Sequence, residues 1–536
     1  MRSHGRMVCH SRKHMRCFSL TGTSSGAFTP RTQASTSRYG SLFMDGQSGY
    51  AQRVTKDRER PPVALEIDAI FHPHSIAVVG ASANPDTPGY DYVRSLQEFG
   101  YKGRIYPVNP KGGEILGLPA FASLRDISGG VDYVISCIPN AYILDLVRDC
   151  AAAGVKALQL FTGRFSETGR ADDAALEDGL RETAADAGVR LIGPNCMGLL
   201  YPELGISFRT DMSRKPGPIG FLSQSGNLLF ELTHFGESRG LRFSKAISYG
   251  NALDLNECAF LEYFADDAET RVVGAYIEGV RDGRAFIQAL GRAASKKPTV
   301  VLKGGRTDAG GRTAVSHTAA LAGSAAVWDA AVRQSGAIRV ETVEELIDTL
   351  IASAYMKRPV ESNPADRASR PRLAMVGAGG GRSVLTADLC EELGLLVPPL
   401  PNDVEAKVAE KAPDLAGWVT NPVDQSILAG SGLGGGQVLE WLDESPDIDM
   451  LVGNIGEPWA FGRPNGEAIV RRVTERFIEV AAKTKKPFAV VLGPSDYGDE
   501  DRWRFISEAR ERLVEAGVAV FPSVERAVRT LARLAG

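Results

Sequence analysis

Histidine is scarce here, seven in 536 residues, and three of them (His4, His10, His14) fall near the start. Two more, His72 and His74, precede the first expected strand, so His317 stands out against a chain with few imidazoles. The seven cysteines are scattered and form no CxxC pair, which excludes a disulfide frame or structural zinc and points to reduced thiols in a cytosol-like compartment. No apolar run approaches the roughly 20 residues that span a bilayer. A net charge of −4 offers no basic surface for nucleic acid or for an acidic membrane. No GxGxxG follows a strand, so the dinucleotide fingerprint is missing and an NAD-dependent oxidoreductase is disfavoured. Up to Met44 there is no Asp or Glu beside seven Lys/Arg and many Ser/Thr; the first acid is Asp45. Such a leader reads as an organellar transit peptide, which would place the protein in the mitochondrial matrix, or as translated upstream sequence with Met44 as the start. Residues 1–65 are expected to be a disordered leader outside the fold.

What remains is the composition of a globular protein, 43% hydrophobic and 24% charged, long enough for about three domains. Short apolar strands alternate with helix-period segments, the pattern of parallel sheets covered on both faces. The expected class is α/β, three consecutive doubly wound domains: 66–205, 206–360 and 370–536. Expected strands in the first are Ser75–Gly80, Arg104–Val108, Tyr133–Ile138, Ala157–Phe161 and Arg190–Ile192. The second offers Ile219–Ser223, Phe243–Ser248, Val272–Glu278, Pro298–Lys303 and Ala337–Val340. The polar stretch Glu361–Ser369 reads as a linker, and the third domain supplies Leu373–Val376, Met450–Asn454, Phe488–Leu492 and Ala519–Phe521.

Six features at or after expected carboxyl strand ends carry ligand-type chemistry. Gly80–Ala81–Ser82 follows the first strand and leads to a helix, where free amides meet phosphates. Lys111, in Asn109–Pro110–Lys111, is placed for a second phosphate of an adenine-nucleotide-type ligand. Ser225–Gly226–Asn227 and Gly380–Gly381 each open a helix, and each helix start offers about half a positive charge to an anion. His317 lies in a loop of small and hydroxylated residues, Ala314–Ser324, open for attack on a phosphoryl group. Glu278 ends a strand and is a candidate to accept a hydrogen bond from one imidazole nitrogen, fixing the tautomer that attacks with the other; a solvent-facing carboxylate is the alternative.

Gly80–Ala81–Ser82, PVNPKGGEILGLPAF (107–121), GPNCMGLL (193–200), LSQSGN (222–227), YGNALDLNE (249–257), IEG (277–279) and SHTAALAGS (316–324) occur in this order. In this series the chain resembles the NDP-forming acyl-CoA synthetases, the ADP-forming acetate–CoA ligase group of the succinyl-CoA synthetase superfamily. It looks like their α-type chain: a Rossmann-like CoA-binding domain and two flavodoxin-like ligase domains, the last with Asn421–Pro422–Val423–Asp424. The resemblance implies that acyl-CoA and phosphate give acyl phosphate and coenzyme A, and that the phosphoryl group passes through His317 to ADP or GDP. It makes Glu278 the orienting carboxylate, and Ser225, Gly226, Asn227, Gly380 and Gly381 the phosphate-binding residues. Gly80, Ala81, Ser82 and Lys111 would contact coenzyme A, and Asn195 would shape the meeting point of thioester and phosphate.

The sequence departs from that pattern in three places. Asp86–Thr87–Pro88–Gly89 stands where a lysine is usual, Thr318–Ala319 replaces Thr-Gly, and Gly163–Arg164–Phe165–Ser166–Glu167 carries an extra arginine. No ATP-grasp pattern is found, so nucleotide and Mg²⁺ are expected to enter through a separate ATP-grasp β subunit in a heterotetramer or similar assembly. A small carboxylic acid or its acyl-CoA is the expected substrate, with no metal held by this chain, no nucleic acid and no membrane. Two readings stay open beside this one: a CoA-dependent acyl or carbamoyl transferase relative, and a non-catalytic CoA-binding regulatory protein.

Overall fold

A computed structural model describes residues 63–318, 325–357, 370–493 and 499–535. The leader, the linker Glu361–Ser369 and the stretch Ala319–Ser324 lie outside the described residues. The described residues form one compact unit.

The first sheet is built from β1 (Ser75–Val79), β2 (Arg104–Val108), β5 (Tyr133–Ser136), β6 (Ala157–Leu160) and β7 (Arg190–Ile192), with a short hairpin of β3 (Glu114–Ile115) and β4 (Leu118–Pro119) beside it. The strands read as unbroken apolar runs because both faces are covered: all five residues of β1 are buried. The second sheet takes β8 (Gly198–Leu200), β9 (Ile219–Ser223), β10 (Phe243–Ser248), β11 (Val272–Ile277), β12 (Thr299–Lys303) and β13 (Ile338–Val340). The third holds β14 (Leu373–Ala378), β15 (Val423–Asp424), β16 (Met450–Asn454), β17 (Phe488–Val491) and β18 (Val520–Phe521).

All three sheets repeat one parallel order. The first strand lies between the second and the third, and the fourth and fifth follow outward: β2-β1-β5-β6-β7, β10-β9-β11-β12-β13 and β15-β14-β16-β17-β18. In such an order ligands bind at the carboxyl ends of the first and third strands, where the chain reverses its direction of travel across the sheet. Those ends are Gly80 with Cys137, Ser225 with Glu278, and Gly379 with Asn454 and Gly456. The expected strands hold to within two residues at either end.

Strand β8 was not expected. It precedes the boundary drawn at 205 but pairs antiparallel with β10, Gly198 opposite Ser248, so the second sheet borrows its edge from the first segment. Other ties cross the same seam. Phe71, at the end of the helix Val63–Phe71, stacks on Tyr263 at 4.7 Å between centroids. Lys245, fully buried, is paired with Asp267 at 3.0 Å and Glu269 at 2.8 Å, and Tyr201 donates to the same Glu269. The third sheet is joined to the second through Asp348. Its buried carboxylate accepts from Arg239 and, at 2.6 and 3.0 Å, from Arg526 on the last helix, Val524–Ala535.

Candidate functional site

In the first sheet, Gly80 turns the chain with φ +88°, and its N–H and that of Ala81 both donate to the Val108 carbonyl. A Cβ on Gly80 would lie 3.0 Å from the Cys137 backbone, so only glycine lets β1 and β5 close here. Ser82 accepts from the Asn84 N–H at 3.0 Å. Asn109 donates to the Ala81 carbonyl at 2.8 Å and accepts from the Lys111 N–H at 2.9 Å, which ties the two expected loops together and leaves the Lys111 side chain exposed. The departure Asp86–Gly89 has a local role: Thr87 caps the helix Pro88–Phe99, with proline in its first turn.

At the second sheet, Ser225 caps the helix Gly226–Glu237 by accepting from the Leu228 N–H, and Ser223 both donates to the Ser225 carbonyl and accepts its N–H. A cavity of about 150 Å³ is lined by Ser225, Gly226, Asn227 and Gln224 on one side and by Asn195, Cys196, Met197 and Phe161 on the other. Asn195 adopts φ +58°, a left-handed conformation that asparagine tolerates. Its turn is pressed from behind by Gly250, whose added Cβ would stand 2.2 Å from the Pro194 carbonyl oxygen. The Asn251 N–H donates to that same carbonyl, while its side chain donates to Glu167 at 2.8 Å. Glu167 also accepts from the N–H groups of Arg164 and Phe165, so the arginine-bearing segment folds into a closed turn with Arg164 exposed at φ +70°. Burial pushes the Cys196 thiol up to about 12, which makes it a poor nucleophile beside this cavity.

Glu278 follows β11 directly and is 6% exposed, so the solvent-facing alternative is set aside. Its neighbour Tyr276 bonds to it, and burial raises the Tyr276 hydroxyl's pKa. Gln224 accepts from the N–H groups of Glu278 and Gly279, the latter at 3.0 Å, and donates to the Gly279 carbonyl at 3.1 Å. From β12, Lys303 donates to the Glu278 carbonyl at 2.6 Å and to that of Gly304. Burial lowers the pKa of its ammonium group. The backbone of His317 falls in the last turn of the helix Asp308–Thr318, which corrects the expected loop. Asp308 in the first turn suits the helix start, while Gly310, Gly311, Thr313, Val315 and Ser316 are weak helix formers, which is why the stretch reads as a loop in sequence.

Gly380 and Gly381 open the helix Gly380–Glu392 at the third sheet, beside a separate cavity of about 350 Å³ lined by Gly379, Asp424, Asn454, Glu457 and Trp459 among others. An added Cβ on Gly380 would lie 3.3 Å from an Asp424 oxygen, and burial raises the Glu457 carboxyl pKa. The structure therefore brings Asn195 to Ser225, Gly226 and Asn227 in one cavity; the third sheet has another, lined by Gly379, and neither Gly380 nor Gly381 is in its lining.

Gln224 and Lys303 went unassigned in the sequence. Gln224 lies inside LSQSGN, but a glutamine's partners on another strand leave no local trace; Lys303 reads as the polar end of a strand. No helix among the described residues is long and apolar enough to cross a membrane, and no group of their His, Cys, Asp or Glu side chains is arranged to hold a metal ion.

Two family profiles match: "CoA binding domain" over residues 74–202 and "Succinyl-CoA ligase like flavodoxin domain" over 216–352. The chain is 33% identical over 477 residues to the α subunit of acetate–CoA ligase [ADP-forming] I of Pyrococcus furiosus, covering 88% of this chain and 97% of that one. It is also 33% identical to the acetate–CoA ligase [ADP-forming] of Methanocaldococcus jannaschii, but spans only 49% of that longer protein. The solved dinucleotide-forming acetyl-coenzyme A synthetase 1 of Ca. Korarchaeum cryptofilum, in complex with phosphate and ADP, superposes with a TM-score of 0.72 at 30% identity, covering 87% of this chain and 96% of that chain. The chain belongs to the ADP-forming acetate–CoA ligase family of acid–thiol ligases, as an α-type chain of the succinyl-CoA synthetase superfamily.

Proposed function

We propose that this chain is the α-type subunit of an NDP-forming acid–CoA ligase that works through acyl phosphate and a phosphohistidine at His317. The observation that supports this best is the single cavity shared by Asn195 and the helix start Ser225–Gly226–Asn227, beside the held Glu278. Coenzyme A lies along Gly80, Ala81, Ser82 and Lys111 with its thioester toward Asn195. Phosphate at the Ser225–Asn227 helix start attacks the thioester carbonyl. The C–S bond breaks, coenzyme A leaves as the thiol, and acyl phosphate remains. Partial positive charge at the helix start offsets the phosphate's negative charge. One imidazole nitrogen of His317 attacks phosphorus while the Glu278 carboxylate accepts a hydrogen bond from the other, proton-bearing nitrogen, and the P–O bond breaks to release the carboxylate of the acid. Phosphohistidine then passes its phosphoryl group to a nucleoside diphosphate held with Mg²⁺ by an ATP-grasp partner subunit. Gly380 and Gly381 contribute a second helix start to the phosphoryl group's path.

The five cysteines among the described residues are free thiols, which suits a reducing, cytoplasmic setting. Relatives are named for acetate, 4-hydroxybutyrate, trans-feruloyl-CoA and, over a shorter stretch, succinate, so the acyl-CoAs to be tried span aliphatic, aromatic and dicarboxylic acids.

The test is peptide mass spectrometry of the chain after incubation with Mg²⁺, phosphate and a panel of acyl-CoAs. One acid-labile, base-stable phosphate on His317 is expected with the cognate acyl-CoA. Its absence with every acyl-CoA, and again with ATP and a co-purified partner, refutes the proposal.

A further inference from the structure

Two buried side chains converge on Glu278 from opposite sides, and the reaction just described gives neither a task. Ladder pairing of β11 ends at Ile277, which faces Lys303 across the sheet, so Glu278 lies beyond the last strand register. Gln224, 4% exposed, accepts from the Glu278 and Gly279 N–H groups and donates to the Gly279 carbonyl. Lys303, 8% exposed, holds the Glu278 carbonyl. Each backbone polar group of Glu278 is thus bonded to a side chain rather than to a strand.

Stability alone does not account for Lys303. Its ammonium is buried against two carbonyl oxygens and 5.6 Å from the Trp328 ring, and desolvation works against its charge. An apolar side chain of the same length avoids the cost of burying a charge but leaves the Glu278 and Gly304 carbonyls without this donor. The position gains something else: Lys303 closes β12 just before the turn into the His317 helix, and Trp328 sits on the next helix, Ala325–Ser335. Gln224 in turn immediately precedes Ser225, so one run of backbone carries both the anion-binding helix start and the grip on Glu278.

We propose that Gln224 and Lys303 are positioning residues that fix the Glu278 carboxylate relative to the Ser225–Asn227 helix start. This rests on the reading of Glu278 as the carboxylate that orients His317. The amide oxygen and nitrogen of Gln224, although the residue lines the cavity, are both engaged by the Glu278–Gly279 backbone, and the Lys303 ammonium by the Glu278 and Gly304 carbonyls, so each acts through that backbone. A displacement of about 1 Å in such an arrangement costs on the order of 10²-fold in rate.

The experiment compares the full-length wild type with Gln224→Met, Lys303→Met and Lys303→Arg in two readouts. The first is the rate of His317 phosphorylation from phosphate and acetyl-, butyryl- or phenylacetyl-CoA. Both methionine variants are expected to lose about 10- to 100-fold in maximal rate with half-saturating acyl-CoA unchanged within about twofold, and Lys303→Arg to recover most of the loss. The second is amide hydrogen exchange of the peptides carrying Glu278–Gly279 and Gly304, expected to quicken at least about tenfold in the methionine variants while β9 and β10 keep their protection. Unchanged exchange at Glu278–Gly279, or wild-type phosphorylation rates in both methionine variants, overturns the proposal. So does a raised half-saturation with an unchanged maximal rate. If the wild type itself takes no phosphate on His317, the ligase reading falls by that result, and the exchange comparison still decides whether these two side chains hold Glu278.

Discussion

Glu257 makes the stability of this protein pH-dependent in an unusual direction. It opens the helix Glu257–Asp266, is 2% exposed, and borders the fully buried Tyr249 just behind the Asn195 turn. Burial pushes its carboxyl up to about 7, against the opposing pull of its own backbone N–H and of Arg281. In the unfolded chain the same carboxyl titrates near 4.5. The folded state therefore binds the proton more tightly, and stability falls as pH rises from about 4.5 to about 7. At about 1.4 kcal/mol per tenfold in proton affinity, the full loss amounts to about 3 kcal/mol. Glu257→Gln removes the titration while keeping the shape. The variant is expected to match the wild type within about 1 kcal/mol at pH 4.5 and to exceed it by about 3 kcal/mol at pH 8. Hydrogen exchange of the β10 and β11 amides, compared between the two proteins at each pH, reads this difference directly because intrinsic exchange rates cancel. Parallel protection curves for wild type and variant across pH 4.5–8 refute the reasoning.

Three further perturbations probe other parts of the same framework. Asp348→Ala leaves Arg239 and Arg526 without their shared carboxylate and is expected to cost about 3 kcal/mol, read as earlier urea unfolding. The triple change Arg239→Met, Asp348→Leu, Arg526→Met should recover most of that, and failure to do so argues that the cluster does more than pair charges. Gly250→Ala forces a Cβ to 2.2 Å from the Pro194 carbonyl oxygen at φ +51° and is expected to cost about 2–4 kcal/mol and to abolish His317 phosphorylation. Ser225→Ala removes a helix cap at about 1 kcal/mol, and under the proposed function lowers phosphate affinity in titration calorimetry; an unchanged affinity removes Ser225 from the proposed anion site.

The sequence by itself determined the elements and their order. Strands such as SIAVV and IGFLS are apolar throughout because both faces of a parallel sheet are covered, and that pattern is local. The loops that carry Gly80, Ser225, Glu278 and Gly380 were legible for the same reason: each stands where a strand ends and a helix or turn begins, and strand ends are where such sheets present ligands. His317 shows where local reading fails. Small and hydroxylated residues of low helix propensity read as a loop, yet the backbone runs helical from Asp308 through Thr318. Only the tertiary structure decided which of those loops meet. It placed Asn195 against Ser225 across 30 positions of sequence and opened a separate cavity at Gly379 and Asp424 in the third sheet. It also took Gly198–Leu200 from one segment as the edge of the next sheet, and closed Gln224 and Lys303 on Glu278 from two neighbouring strands. Hydrogen bonds between side chains and distant backbone depend on strand order and register, and neither is written in the periodicity of any single element.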